Sequence, residues 1–249
     1  MAEPVFRTLE SLAKIAVAAA GTKITYHGLE NIPEHGGAVA AVNHTSYVDW
    51  LPAALAAYHR HRRMRFMIKE EMQRVKIVNF LIKQTGTIPV NRGAGAQAYA
   101  EAVERLKAGE LVGVYPEATI SRSFELKEFK TGAARMAQEA DVPIIPLIVW
   151  GAQRIWTKDQ PKNLGRSKVP IIVQVGAPLR ADDSVEHTNA AFRESMTALL
   201  QRAQQEYRHP AGAFWVPRRI GGSAPTLPEA KVLDEAELAE RARRRAEHA

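Results

Sequence analysis

Short apolar runs alternate along this chain with longer segments in which apolar residues recur every three or four positions. Short apolar runs bounded by Gly or Pro are typical of buried strands, and the longer spacing is typical of amphipathic helices. The predicted strands are "KITYHG", "GAVAAVNH", "MRFMIK", "TIPV", "LVGVY", "VPIIPLIVW" and "VPIIVQVG". Segments with helical periodicity separate most of these strands.

The order of these elements predicts the fold class. Helices are predicted over 46–58, 71–86, 96–109, 130–140 and 189–208. Strands that alternate with helices are typical of α/β domains with a largely parallel sheet. We therefore predict a single layered α/β domain over residues 23–209, with a mixed, largely parallel sheet flanked by helices.

Two segments flank this domain. Residues 1–22 contain "PVFRTLESLAKIAVAAA", which predicts an amphipathic helix. Its apolar stripe consists of Val5, Leu9, Leu12 and Ala16. Such a helix either packs on its own domain or lies in a membrane interface, and the periodicity does not distinguish the two. Residues 210–249 predict a Pro- and Gly-rich arm and then a helix over 232–248 with acidic first turns and a basic end.

Composition narrows the class of protein. The 46% apolar and 24% charged content is that of a soluble globular protein, and no segment approaches the roughly 20 apolar residues that cross a bilayer. No basic segment precedes an apolar core at the N-terminus, so we expect no signal peptide. The lack of cysteine excludes disulfides, thiolate zinc sites and a cysteine nucleophile, and it is compatible with a reducing cytoplasm.

A net charge of +7 suits nucleic acid, anionic lipid or a phosphorylated substrate. Part of this charge is concentrated in "HRHRRMR", residues 59–65. Such a run is either a solvated face or a contact for anionic headgroups and for the phosphates of a coenzyme. Neither helix-turn-helix nor RNA-binding aromatic motifs are recognisable, so we expect no nucleic-acid partner.

The stretch "AVNHTSYVDW" carries the first candidate chemistry. His44 and Asp49 are five residues apart, which places them on different faces of a continuous helix. Ser46 and Asp49 have the spacing of a capping box, which predicts a helix that begins near Ser46. Asp49 then either finishes the helix terminus or orients His44, folded back across the turn, as a general base.

Three further segments follow this one: "GTIPVNR", "YPEATISRS" and "VPIIP". In this order the four segments resemble the motifs of the lysophosphatidate acyltransferase family, the 1-acylglycerol-3-phosphate O-acyltransferases. The first motif, N-H-x4-D, is matched by Asn43, His44 and Asp49. The second, G-x-I-x-V-x-R, is matched by Gly86, Ile88, Val90 and Arg92. The third, F-P-E-G-T, is matched by Tyr115, Pro116, Glu117 and Thr119, with Tyr for Phe, and the fourth by Val142–Pro146.

The third motif departs from the family pattern at two positions. Ala118 stands where the family usually has Gly, and Ile120 stands where it usually has Arg. Arg122, two residues further on, is the candidate replacement for that arginine.

The resemblance implies transfer of a fatty acyl group from acyl-CoA or acyl carrier protein to the free hydroxyl of lysophosphatidate, giving phosphatidate in phospholipid biosynthesis. His44 would remove the hydroxyl proton, and Asp49 would fix the imidazole tautomer. Arg92 would clamp the acceptor phosphate, and Glu117 would orient the glycerol or hold Arg92. Thr119 and Arg122 are further candidates for substrate binding.

The same resemblance implies no cofactor other than the thioester co-substrate. The eight histidines show no H-E-x-x-H or similar spacing, so we expect no metal. The expected partners are the two substrates and an anionic membrane surface, and the expected location is peripheral or monotopic, at the cytoplasmic face of the cell membrane. The alternatives are acyl transfer to another lysophospholipid or a glycolipid, a thioesterase, and a non-catalytic binding protein.

Overall fold

In a computed structural model of the chain, the structure describes residues 4–74, 76–91 and 95–247. Within these ranges one seven-stranded sheet has the order β1-β7-β6-β2-β5-β3-β4. The strands are β1 Ile24–His27, β2 Ala38–Val42, β3 Met64–Lys69, β4 Ile88–Val90, β5 Leu111–Val114, β6 Ile144–Trp150 and β7 Ile171–Val175. The predicted strands are thus present, with ends that differ by a few residues.

The sheet is mixed and largely parallel, as predicted. Strands β6, β2, β5, β3 and β4 run in one direction, and β7 pairs antiparallel with β6 while β1 pairs parallel with β7. The carboxyl ends of the five parallel strands therefore meet at one edge of the sheet. In open α/β sheets this edge is where ligands bind.

Helices cover both faces of the sheet. They are α1 Pro4–Ala19, α2 Trp50–His59, α3 Lys76–Thr85, α4 Gly95–Lys107, α5 Gly132–Ala140, α6 Val185–Glu206 and α7 Leu227–Ala246. Alternate residues of β2 pack on opposite sides, with Val39 in the cluster that holds Leu106 and Phe192, and Val42 in the cluster that holds Ala53. Every residue of β2 is buried, which explains why its sequence is a continuous apolar run.

The prediction that a helix begins near Ser46 is wrong. Helix α2 begins at Trp50, and residues 46–49 form a turn. The Ser46 hydroxyl lies 3.0 Å from the carbonyl oxygen of Ala152 and 2.7 Å from that of Trp156, so it is bonded to a distant loop. Residues 71–86 also differ from the single predicted helix, because a short 3-10 helix, Glu70–Arg74, precedes α3.

Helices α6 and α7 begin earlier than predicted. The Ser184 side chain caps α6 by accepting a hydrogen bond from the His187 backbone N–H. Glu229 accepts hydrogen bonds from the backbone N–H and the hydroxyl of Thr226, directly before α7. The sequence Thr-x-x-Glu at 226–229 is a capping-box signal, and it indicates the start of α7.

The C-terminal arm packs on the domain. Trp215 and Val216 are buried, and the Trp215 ring contacts Tyr207 edge-on at 5.6 Å between centroids. The domain boundaries at 22/23 and 209/210 stay predictions. Within the described residues, no helix combines the length and the apolar character that a bilayer crossing requires.

The basic run at 59–65 is largely bonded within the protein. Arg62 is buried, and its guanidinium donates to the carbonyl oxygens of Pro33, Gly36 and Gly109. Arg63 pairs with Glu10 at 3.2 Å. Arg62 therefore fits neither of the two alternatives for this run, because its donors join the loops that precede β2 and β5.

Candidate active site

His44 leaves the sheet at the carboxyl end of β2. Asn43, the residue before it, continues the pairing with β6 through its side chain. Its Oδ1 accepts a hydrogen bond from the Val149 N–H at 2.7 Å, and its Nδ2 donates to the Val149 carbonyl at 3.1 Å. This pairing fixes the position from which His44 enters the turn.

The turn after His44 folds around the carboxylate of Asp49. Oδ2 of Asp49 accepts hydrogen bonds from the N–H groups of Thr45 and Ser46, each at 2.7 Å. The same oxygen lies 3.3 Å from Nδ1 of His44, which confirms that the turn folds His44 back onto Asp49. Burial raises the pKa of Asp49, and the hydrogen bonds from His44, Ser46 and Thr45 oppose that rise.

The imidazole of His44 is held in a fixed orientation. When Nδ1–H donates a hydrogen bond to Asp49, Nε2 carries the lone pair that a general base needs. The ring stacks on Tyr115 with centroids 4.0 Å apart and planes 22° apart. Burial, with a smaller effect of Asp49, raises the pKa of Tyr115 well above its ordinary value, so this ring stays neutral. The aromatic position of the third motif therefore supports the imidazole.

Glu117, which follows β5, joins two loops. Its Oε1 accepts a hydrogen bond from the His44 backbone N–H at 2.8 Å, and its Oε2 accepts one from the Lys127 backbone N–H at 3.0 Å. Burial raises the pKa of Glu117 to about 7, although these two hydrogen bonds lower it. Glu117 thus positions His44, and its predicted contact with the glycerol or with Arg92 stays a prediction.

The next residues include the two positions at which the third motif departs from the family pattern. Ala118 has a φ of 60°, in the left-handed region that favours glycine, which is the residue usual at this position. Ile120 is buried and lines the cavity beside His44, so an apolar side chain stands in the cavity wall where the family usually has arginine. Thr119 accepts a hydrogen bond from Nζ of Lys127.

Arg122 is 8% exposed and is surrounded by carboxylates. Its guanidinium donates to Asp159 at 2.6 Å, to Glu237 at 2.9 Å and to Asp234. Asp234 and Glu237 lie on α7, so the end of the chain reaches the loop that follows β5. Substrate binding by Arg122 stays a prediction, and in this structure its donors are bonded to protein carboxylates.

Two lysines that the sequence analysis did not single out complete this group. Lys127 lies 3.2 Å from Asp234, and Lys158 lies 3.2 Å from Asp234 and 2.8 Å from Glu237. No local pattern marks these lysines, because they come from different loops at the same sheet edge. Arg92, the predicted phosphate clamp, lies outside the described residues.

A cavity of about 170 Å³ opens beside His44. It is lined by His44, Tyr47, Lys69, Ala118, Thr119, Ile120, Lys158, Asp234, Glu237, Leu238 and Arg241. A larger cavity of about 750 Å³, lined partly by Arg62 and Arg65, lies at the amino ends of β3 and β5. The six residues of β3 separate the two sheet edges by about 20 Å, so the chemistry belongs to the smaller cavity.

The comparisons with known proteins agree with this geometry. The sequence model of the family described as Acyltransferase matches residues 23–150, more than half of the chain. The protein therefore belongs to the acyltransferase family. His44, Asp49 and Glu117 all lie inside the matched region.

The relatives are 1-acyl-sn-glycerol-3-phosphate acyltransferases by name. The protein of that name from Borreliella burgdorferi is 28% identical over 65% of this chain and 65% of its own length. The one from Bacillus subtilis is 27% identical over 75% of this chain and 87% of its own length. The crystal structure of PlsC from Thermotoga maritima, a 1-acyl-sn-glycerophosphate acyltransferase, superposes with a TM-score of 0.70 at 22% identity over 82% of both chains, which shows the shared fold.

Proposed function

We propose that this protein transfers a fatty acyl group from an acyl thioester to the free hydroxyl of lysophosphatidate, giving phosphatidate. The observation that carries the proposal is the 3.3 Å approach of His44 Nδ1 to the buried Asp49 carboxylate, at the sheet edge where a cavity opens. The names of the relatives support lysophosphatidate as the acceptor.

The chemistry needs no nucleophile from the protein. The acceptor hydroxyl oxygen attacks the thioester carbonyl carbon while Nε2 of His44 takes the hydroxyl proton. Asp49 stabilises the imidazolium that results. The tetrahedral intermediate collapses as the C–S bond breaks, and the thiolate takes the proton back from His44. The ester and a free thiol leave, and His44 is neutral again.

The remaining candidates bind substrate. Arg92 clamps the acceptor phosphate bidentately, and Thr119 and Arg122 contribute from the loop after β5. The donor is acyl-CoA or acyl carrier protein, which serves as a co-substrate in phospholipid biosynthesis. Assays with each donor under identical conditions identify which of the two is used.

The substrate lipid resides in a membrane, and α1 supports a peripheral contact with its cytoplasmic face. Leu12 and Ile15 of α1 are 55% and 63% exposed, although Phe6 on the other side of the helix packs under Arg63. Phe80 of α3, which packs against α1, is also exposed. Exposed apolar groups on two packed helices suit a lipid interface.

Vesicle sedimentation tests this surface. We expect Leu12→Ser combined with Ile15→Ser to reduce binding to phosphatidylglycerol-containing vesicles about tenfold or more. Leu164→Ser removes an equally exposed leucine, 61% exposed, from a different loop and serves as the control. Equal binding by the double variant and the control would refute the contact.

Thiol release from palmitoyl-CoA tests the reaction itself. We expect release by the wild-type protein to require lysophosphatidate and to yield phosphatidate, and we expect His44→Ala to abolish it. His187→Ala is a matched control, because His187 also pairs with an aspartate, Asp182, five residues away, but on the exposed start of α6.

The other outcomes separate the alternatives. Thiol release that does not depend on lysophosphatidate would indicate a thioesterase. Release that requires a different lysophospholipid or a glycolipid would keep the mechanism and change the acceptor. Full activity in His44→Ala would show that His44 is not the base.

A further inference from the structure

Helix α7 is attached to the active-site edge by charge. Among its described side chains only Ala230 is buried, and only Asp234 and Glu237 are half-buried. Their spacing of four and three residues places them on one face of the helix. The apolar side chains Val232 and Leu233 are exposed. A helix that packed through its apolar side chains would show the reverse pattern.

The partners of that acidic face are the three cations near the cavity. Arg122, Lys127 and Lys158 each bond to one or both α7 carboxylates, and their side chains are mostly buried. Asp159, which lies outside α7, pairs with Arg122, and the other two positive charges are costly to bury without an anion of matching charge. The two carboxylates supply about the charge of a phosphate monoester, which is −1.5 to −2.

The position of α7 also restricts the cavity beside His44. Four residues of the helix form part of its lining, namely Asp234, Glu237, Leu238 and Arg241. The volume of about 170 Å³ is below the roughly 300 Å³ at which ordinary small-molecule sites begin. A lysophospholipid therefore needs the space that α7 fills.

We propose that Arg122, Lys127 and Lys158 form a site for the phosphate monoester group of the acceptor, and that α7 occupies this site with Asp234 and Glu237 until the phosphate displaces it. This inference rests on the proposed function for the identity of the acceptor. The carboxylates and the phosphate exclude each other, so α7 docking and acceptor binding compete. The apparent affinity for the acceptor is then the affinity of the open form multiplied by the fraction of molecules in which α7 is not docked.

The construction of α7 suits reversible docking. Ion pairs at a partly solvated edge are weak and are screened by salt, so their exchange for a phosphate needs little net energy. The hydrogen bonds between Thr226 and Glu229 cap the helix from within its own sequence. The first turn of α7 therefore keeps this cap when the helix leaves the site.

Amide hydrogen exchange of residues 227–246 tests the displacement directly. We expect saturating sn-glycerol 3-phosphate to accelerate exchange in wild-type α7 about tenfold. In Asp234→Asn combined with Glu237→Gln, exchange is expected to be fast without ligand. The control is Glu235→Gln combined with Glu240→Gln, which removes two charges from the exposed side of the same helix and is expected to behave as wild type.

Acyl transfer gives the second readout. The Asp234→Asn, Glu237→Gln variant is expected to lower KM for lysophosphatidate about tenfold with kcat unchanged, and the control variant to change neither. If inorganic phosphate accelerates α7 exchange as much as sn-glycerol 3-phosphate does, the result would support the same site and identify the free ion as a ligand.

Different results would contradict this inference and the proposed function. Unchanged α7 exchange with both phosphates, or a KM that rises in the Asp234→Asn, Glu237→Gln variant, would overturn the inference while acyl transfer stands. Phosphate-driven release of α7 in a protein that transfers no acyl group to lysophosphatidate would support the site and overturn the proposed function.

Discussion

At the scale of single residues, one oxygen of Asp49 organises the turn that carries His44. Oδ2 accepts from two backbone N–H groups and lies beside the imidazole, whereas the buried Oδ1 has no hydrogen-bond partner among the described residues. An asparagine oxygen at the place of Oδ2 accepts the same two backbone bonds. It carries no negative charge, however, and so stabilises an imidazolium far less.

We therefore predict that Asp49→Asn folds with a Tm within a few degrees of the wild type but loses about a thousandfold to ten-thousandfold in kcat. Thermal unfolding and thiol release measure the two effects. Asp49→Ala removes the acceptor as well and is expected to fail in both assays. An asparagine variant with a tenth of wild-type activity would contradict the role assigned to the charge.

Ala118 offers a test of backbone strain. Its φ of 60° is costly for any residue with a Cβ, and its side chain is exposed. We predict that Ala118→Gly raises the free energy of unfolding by about 1 kcal/mol, measured by urea denaturation. Ala100→Gly in the exposed face of α4 is the control, and it is expected to lower stability by about 0.5–1 kcal/mol. Equal losses at both sites would show that position 118 is not strained.

At the scale of elements, Glu117 connects the loop after β2 to the loop after β5. Each of its oxygens accepts one backbone N–H, so the carboxylate joins His44 to Lys127. A glutamine has only one acceptor oxygen, and its amide nitrogen would face the second N–H, donor against donor.

We predict that Glu117→Gln lowers the free energy of unfolding by about 2 kcal/mol at pH 8, because one buried N–H loses its acceptor. Urea denaturation measures the loss. Glu128→Gln changes an exposed glutamate in the same loop, and we expect an effect within about 0.5 kcal/mol. Equal stability of the two variants would indicate that the loops do not depend on Glu117.

Sequence periodicity predicted the strands well because β2, β5, β6 and β7 are buried on both faces, which leaves continuous apolar runs. The start of α2 was predicted wrongly, because the bonds of Ser46 to Ala152 and Trp156 depend on tertiary structure. The capping signals before α6 and α7, by contrast, were present in the sequence at Ser184 and Thr226.

At the scale of the whole molecule, Glu117 gives stability a dependence on pH. Its pKa of about 7 in the folded protein exceeds the ordinary 4.5, so between these values the folded protein keeps a proton that the unfolded chain releases. The stability that this group contributes is fully present below about pH 4.5 and is lost as the pH rises to about 7.

We predict that the stability difference between the wild type and Glu117→Gln shrinks by about 2–3 kcal/mol from pH 5 to pH 8. Urea denaturation of both proteins at the two pH values measures it, and other titrating groups cancel in the comparison. A difference that stays constant or grows with pH would show that the pKa of Glu117 is not raised.

The site was only partly predictable from the sequence. His44, Asp49 and Glu117 lie within motifs whose spacing is local, and parallel strand ends bring these motifs together. The cluster of cations and its contact with α7 join residues about a hundred positions apart. Only folding of the whole chain places Lys127 and Lys158 beside these carboxylates.

The place of Ile120 in the wall of the cavity has a consequence for consensus engineering. A designer who averaged the family would restore arginine at this position. Here the position is 3% exposed, so Ile120→Arg would bury a guanidinium close to the existing cations, at a cost of several kcal/mol. The loop from Ala118 to Arg122 must be exchanged as a unit, because the average residue at a position does not report which charges surround that position in a given member, here Lys127 with its Nζ 3.5 Å from the Ile120 carbonyl oxygen.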